Sequence, residues 1–254
     1  MKLSAARICM LTLPMLLLAA CASAPTPISA DTRAKIKTIG VVSLGARTFG
    51  RQYVGLTVFG NEYESEDISA WKVDADYEAQ LAQVLEARFG MKVVQAGDEA
   101  SKADAWGLGK TGMNWEGAAP AVKSLCNRHS LDAVLVIAPA RAGDTIGGSN
   151  QILSGAGSYA RIGKGGRSVM HLVAEAALVD CTAGKVLTSG RVGGPTSEKP
   201  DGFSVPMKPV WANVSRVAIA NWTPDTREQV HKDLSSLPVA SWEATLRTVL
   251  GPGH

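Results

Sequence analysis

Three short patterns hold residue types that do chemistry. Ser69-Ala70-Trp71-Lys72 has the S-x-x-K spacing and Lys110-Thr111-Gly112 the K-T-G triplet, which in serine acyl-transfer sites supply a nucleophile and an anchor for a substrate carboxylate. That chemistry needs S-x-x-K to open a helix in a large domain, with an S-x-N element between the two motifs. Here no S-x-N intervenes and the motifs stand too close together, so no catalytic residue is predicted. Gly155-Ala156-Gly157-Ser158-Tyr159-Ala160 fits G-x-G-x-x-A, the turn that seats a pyrophosphate at a helix start. No strand pattern leads into it and no helical pattern follows, so a Gly-rich loop is expected and no cofactor is predicted.

Metal chemistry has little to work with. His129 falls on an apolar helical face and His171 within a strand, and neither has H-E-x-x-H or Cys-His spacing. Asp74-Ala75-Asp76 begins like a calcium loop, but Ala79 and Leu85 stand where an EF-hand needs Gly and a carboxylate, and helix capping explains the acids better. No metal site is predicted. Glu62, Glu64, Glu66 and Asp67 read as solvated acids on a hairpin. Arg161, Lys164 and Arg167 stand among glycines in the stretch 142–167, a candidate loop for an anionic phosphate or lipid headgroup, although such a group is more often simply solvated. Trp211, Trp222 and Trp242 either form an exposed partner surface or, the favoured reading, pack the core of a helical appendage.

The elements that must position these residues alternate in type. Thr38–Leu44 is a β-branched apolar run and reads as a buried strand; 53–73 reads as an inserted hairpin turning at Gly60-Asn61. Tyr77, Leu81, Val84, Leu85 and Phe89 follow the helical period up to Gly90, and Met91–Gln95 is a second strand. The stretch 97–117 reads as a surface connection. Pro120 suits the first turn of a helix carrying Ala118, Val122, Leu125 and Cys126 on one face. Ala133–Ala138 and 168–180 are strands, the latter with Met170, Leu172, Ala174, Ala176 and Leu178 on one face, and 186–189 returns as a hairpin partner. Linker composition over 193–209 precedes a mostly helical extension at 210–254. The predicted class is α/β, in the mixed α+β sense: a central mixed sheet with packed helices, an inserted hairpin and a helical carboxyl-terminal extension.

The amino terminus has a cationic start (Lys2, Arg7) and a mostly apolar run from Ile8 to Ala20, too short for a membrane span. Leu18-Ala19-Ala20-Cys21 resembles the lipobox of bacterial lipoproteins. The resemblance implies that residues 1–20 are a removed signal peptide, that the Cys21 thiol carries diacylglycerol and its amino group an acyl chain, and that the chain is anchored by lipid in the membrane. Ala22 stands where the family's inner-membrane retention signal has Asp, which implies an outer-membrane protein facing the periplasm. Small residues with Pro25 and Pro27 then read as a flexible tether over 21–35.

The full chain has 26 Lys+Arg and 23 Asp+Glu; without Lys2 and Arg7 it is near neutral, which argues against a nucleic-acid partner. About 220 residues remain for the folded part, which suits one domain with or without an appendage. Cys126 and Cys181 are the thiols left over. In an oxidising periplasm they either close a disulfide or remain two separate buried small hydrophobes, and the sequence favours neither.

The helix that ends just before Asp132-Ala133-Val134-Leu135-Val136, the strand end Leu178-Val179-Asp180 and the Gly184-Lys185 turn resemble a group of envelope α/β domains. These are the penicillin-binding-protein activator lipoprotein, the curli secretion-channel lipoprotein and the amino-terminal domain of the Tol-system β-propeller protein. The likeness covers 36–192 and implies a periplasmic α/β domain. The expected function is non-catalytic: binding or scaffolding an envelope protein or peptidoglycan. The alternatives are a component of an oligomeric secretion channel and a cell-envelope hydrolase with Ser69 first in line. The stretch 142–167 lacks the alternation of a membrane strand, which counts against a pore.

Overall fold

The computed structural model describes residues 26–96, 106–109, 112–144, 146, 148–162, 168–193, 195–196, 199–203 and 205–253. Cys21, Lys110, Thr111, Lys164 and Arg167 lie outside the described residues.

Helix α1 (Ala30–Lys35) starts where the Ser29 hydroxyl accepts from Thr32 N, and it leads into strand β1 (Thr38–Ser43). Strands β2 (Thr48–Val54) and β3 (Glu62–Asp67) form an antiparallel hairpin, followed by helix α2 (Val73–Phe89) and strand β4 (Lys92–Gln95). A small ladder of β5 (Leu108–Gly109) and β6 (Gly112–Met113) precedes helix α3 (Trp115–His129). Strands β7 (Ala133–Pro139), β8 (Arg141–Gly143), β9 (Ile152–Arg161), β10 (Ser168–Asp180) and β11 (Val186–Arg191) follow. The chain closes with β12 (Pro195–Thr196), β13 (Lys199–Phe203), β14 (Met207–Pro209) and helices α4 (Ala212–Arg216), α5 (Pro224–Ser236) and α6 (Trp242–Leu250).

The main sheet runs β3-β2-β9-β10-β7-β1-β4. Parallel pairs β1–β4 and β1–β7 form one end of it, and β2 lies parallel to β9 at the other. Strand β10 joins the two parts because it is long enough to change partners midway. Its carboxyl half pairs with β7, from Ala174↔Pro139 to Asp180↔Ala133, and with β11. Its amino half pairs with β9, from Ser168↔Ala160 to Val173↔Gly155, and with β14.

Alternation along the strands divides the core. Ile39, Val41, Leu135, Ile137, Leu172 and Leu178 face α2, α5 and α6, whereas Val42, Val134 and Val136 face α3 and Trp106. Helix α2 buries Tyr77, Leu81, Leu85 and Phe89 at the spacing read from the sequence and stops at Gly90, whose φ of 63° suits glycine. The Tyr77 hydroxyl donates to Leu234 O at 2.9 Å, and its ring meets Trp242 edge-on at 5.6 Å. Architecture and class are as the sequence predicts: a curled mixed sheet with packed helices and a helical carboxyl terminus.

Several segments differ from their sequence reading. Ile152–Arg161, read as part of a Gly-rich loop, is a strand inside the sheet. Its glycines serve close packing there: a Cβ at Gly157 would stand 2.3 Å from Gly50 O on β2. The hairpin occupies 48–67 rather than 53–73. Helix α3 starts before Pro120, at a cap where the Asn114 side chain accepts from Gly117 N. Trp106, in the stretch read as a surface connection, is fully buried.

From Thr26 on, the tether stretch docks on the body. Thr188 Oγ1 donates to Thr26 O at 2.8 Å, Ile28 N to Val249 O at 3.1 Å, and Arg33 reaches the carbonyls of Leu250 and Pro252. Within 193–209, β14 pairs with β10. The helices of 210–254 share one apolar cluster with β1 and α2, because Trp222, Val230, Leu234, Trp242 and Leu246 all point into it.

Candidate functional site

The hairpin β2–β3 is fixed at its base by charge. Arg51, on β2, is 1% exposed and points to the helical side of the sheet, where Ser215 O accepts its Nη1 at 3.2 Å. Glu62 and Glu64, facing it from β3, accept its Nη2 at 2.6 and 3.0 Å, and Glu64 also accepts its Nε. The same Glu64 carboxylate takes the Ile219 amide at 2.9 Å; the Arg51 hydrogen bonds and then this amide hold its pKa below the usual value. Glu66 forms a two-point pair with Arg227, the shorter contact being 2.6 Å. Of the acids read as solvated, Glu64 and Glu66 are therefore the seam between the hairpin and residues 215–227, while Glu62 closes on Arg51 within the hairpin and Asp67 accepts from Ser69 N. The alternation of acids along a strand carried that signal; Arg51 is a local hairpin partner, but Ile219 and Arg227 lie about 160 residues away, beyond any local pattern.

Beyond this clamp the tip carries large apolar side chains into solvent, with Leu56 79% and Phe59 96% exposed, while Tyr63, 69% exposed, stands on β3 between the two clamping glutamates and over Gly50. The sheet face behind Tyr63 is hollow. A recess of about 380 Å³ is lined by Gly50, Gln52, Tyr63, Arg141, Ser154 and His171, and Ile152 stands at 52% exposure beside it. A second recess of about 550 Å³ shares Gly50, Tyr63 and Ser154 and continues towards Arg47 and Leu108. The hollow exists because β2 and β9 meet there through Gly50↔Gly157, with no side chains to fill it.

Polar groups buried behind this face are fixed. Asp144 accepts from Ile146 N, Ser149 N, Ser149 Oγ and, at 2.6 Å, the Tyr159 hydroxyl. Burial and the bond to Asp144 push the Tyr159 pKa up to about 12, so the phenol stays protonated. Burial likewise lowers His171 to about 4, its ring hydrogen-bonds the Gly155 backbone, and Nδ1 has no partner among the described residues.

A second buried pair anchors the turn between β1 and β2. Asp74 Oδ1 accepts from Ser43 Oγ at 2.6 Å and from Ala46 N at 3.0 Å, and Glu78 Oε1 accepts from Ser43 N at 2.9 Å. Burial raises both carboxyls, Glu78 to about 7, with the Asp74 charge adding to the rise. Asp74 thus reaches into the sheet instead of capping α2, whose N-cap is Lys72 in the left-handed region at φ 58°.

The other sequence candidates are scattered. Ser69 and Lys72 are exposed in a short 3-10 turn before α2, and Ser69 N donates to Asp67 Oδ1 at 2.8 Å. Cys126 and Cys181 are joined, with Cα atoms 5.6 Å apart. Arg161 ends β9 exposed, while its two companion cations, Lys164 and Arg167, lie outside the described residues, as does Cys21. His129 is exposed at the end of α3. Trp222 and Trp242 are buried, Trp222 edge-on to Phe49 at 5.4 Å, whereas Trp211 is exposed. Among the described residues no helix is long and apolar enough to cross a membrane.

No protein-family model matches the sequence, and no curated protein does. Among solved structures, a PelC dodecamer from Paraburkholderia phytofirmans aligns at 12% identity over 90% of this chain and 94% of its own, with a TM-score of 0.34. The lipoprotein GNA1162 from Neisseria meningitidis aligns at 19% identity over 78% of this chain and 94% of its own, with a TM-score of 0.30. At these identities and scores the likeness establishes no shared function.

Proposed function

We propose that this chain is a non-catalytic, lipid-anchored envelope protein that holds a periplasmic or outer-membrane protein partner through the tip of its β2–β3 hairpin. The observation that carries the reading is the contrast within that hairpin. Its strands are clamped by a buried arginine and two glutamates, yet Leu56 and Phe59 stand in solvent at the tip and Tyr63 stands in solvent over a hollow sheet face. Large exposed apolar and aromatic side chains on a fixed support are what a protein contact uses. The anchoring part rests on the charged start, the apolar run and Leu18-Ala19-Ala20-Cys21, and the Cys126–Cys181 disulfide fits an oxidising compartment.

The test is in-cell photo-crosslinking of the full chain from positions 57 and 59, both exposed, with mass spectrometry of the adducts and of the Cys21 peptide. One defined envelope protein, captured from both positions and lost from position 57 in a Phe59→Ser variant that keeps wild-type stability, is the expected result. A pattern unchanged by that variant refutes the hairpin as the contact. A ladder of self-adducts replaces the scaffold reading with the oligomeric one.

A further inference from the structure

The lipid-anchor reading, on which this inference rests, leaves only a short leash. Thr26 is already docked on β11 through Thr188, so five residues at full extension allow Cys21 no more than about 18 Å from that point. Whatever surface surrounds Thr188 must therefore lie close to the bilayer. That surface is apolar in an unusual way. Val186 and Leu187, two and one residues before Thr188, are exposed on β11. Between β11 and the start of α3 lies a recess of about 370 Å³ lined by Trp115, Ala119, Val122, Val179 and Val186, with Lys185 in the β10–β11 turn and Glu116 in the first turn of α3 as its charged members.

We propose that this end of the molecule, the β10–β11 turn with the start of α3, seats on the lipid surface: Leu187, Val186 and Trp115 enter the headgroup boundary and Lys185 meets lipid phosphate. Length of leash, exposed apolar side chains, an aromatic residue and a cation coincide at one place. The register of β10 fixes what points away. Val54 pairs with Arg161, and Ala160 with Ser168, so the hairpin tip lies at the amino end of β10 while Lys185 follows its carboxyl end. Thirteen residues of strand separate the two ends by about 40 Å. The body then stands on its turn, and the Phe59 tip faces the periplasm.

The experiment uses the full lipidated chain in vesicles of phosphatidylethanolamine and phosphatidylglycerol carrying a headgroup-depth spin-label quencher. An environment-sensitive fluorophore is placed on Leu187→Cys, on Lys185→Cys as a second position in the same surface, and on Phe59→Cys. Mass analysis of the Cys21 peptide accompanies each sample. Quenching at 187 and 185 at least about threefold stronger than at 59 is expected, since interfacial side chains sit about 5–10 Å into the boundary. Equal quenching at all positions, or stronger quenching at 59, in acylated protein overturns the orientation and leaves the anchor intact. Absence of acylation overturns the anchor and the orientation together. Shielding at 187 without lipid quenching, accompanied by 187–187 crosslinks, assigns the surface to a second copy and overturns the proposal.

Discussion

Replacing Glu78 by Gln separates two opposing titrations that the wild-type chain hides. Glu78 is 1% exposed, and its folded pKa of about 7 exceeds the usual 4.5. Between those values the folded chain keeps a proton that the unfolded chain releases, so this stabilisation is complete below pH 4.5 and is lost as pH rises through 7. The shift corresponds to about 3 kcal/mol in full and to about 2.5 kcal/mol between pH 5 and 8. His171 works the other way. Its folded pKa of about 4 lies below the usual 6.5, so its contribution is present above 6.5 and is lost as pH falls towards 4, by about 2 kcal/mol between pH 8 and 5. The two nearly cancel. Gln keeps an acceptor for Ser43 N and carries no charge. Urea unfolding of Glu78→Gln and wild type at pH 5 and pH 8 is the assay. The variant is expected to gain on wild type by about 2–3 kcal/mol more at pH 8 than at pH 5. Asp74, also raised by burial, titrates in both proteins and drops largely out of the comparison. A gap between the two proteins that is the same at both pH values refutes the reasoning.

Arg51→Ala leaves Glu62 and Glu64 without their buried partner; because both acids are partly exposed, a loss of about 2 kcal/mol in urea unfolding is expected, with the β2–β3 amides exchanging faster. Gly157→Ala places a Cβ 2.3 Å from Gly50 O, and the forced separation of β2 from β9 is expected to cost about 2 kcal/mol, read as a lowered urea midpoint. Reduction of Cys126–Cys181, which closes a 55-residue separation, is expected to cost about 4 kcal/mol in the chain-entropy picture, measured by unfolding with and without reductant. Phe59→Ser touches no packed neighbour and is expected to leave stability within about 0.5 kcal/mol while removing the crosslinked partner.

What the sequence made legible were the segments whose burial has a period. Thr38–Ser43, Ala133–Ala138, the one-sided run from Met170 to Leu178 and the stripe from Tyr77 to Phe89 each declare a face that must be covered. What it hid were residues whose meaning is set by a distant partner. Gly157 looks like loop flexibility until the Gly50 backbone on β2 is found against it, and Gly155 until its φ of 59° is seen within the strand. Glu62, Glu64 and Glu66 look solvated until the hairpin register sets Arg51 opposite Glu64 and the packing of the last helices brings Ile219 and Arg227 to the seam. Asp74 looks like a helix-start acid until the β1–β2 turn is seen to need an acceptor for Ser43 and Ala46. Polar and glycine positions encode pairing between elements, and pairing is not periodic.

The same long-range pairing bears on the proposed function. A thirteen-residue β10 that changes partners midway is needed neither for the β1–β4–β7 layer nor for the hairpin alone. It makes the two into one rigid piece, with the β10–β11 turn at one end and the apolar tip at the other. On the proposed reading, a lipid anchor on a short leash fixes the first end, and a clamped hairpin offers the second. Cutting the Arg51 clamp therefore tests more than stability. If the hairpin must be held stiffly at a distance from the membrane, Arg51→Ala measured under conditions where the chain remains folded will weaken crosslinking from position 59. A loosened hairpin that still captures its partner at wild-type yield would show that reach alone, not stiffness, serves the contact.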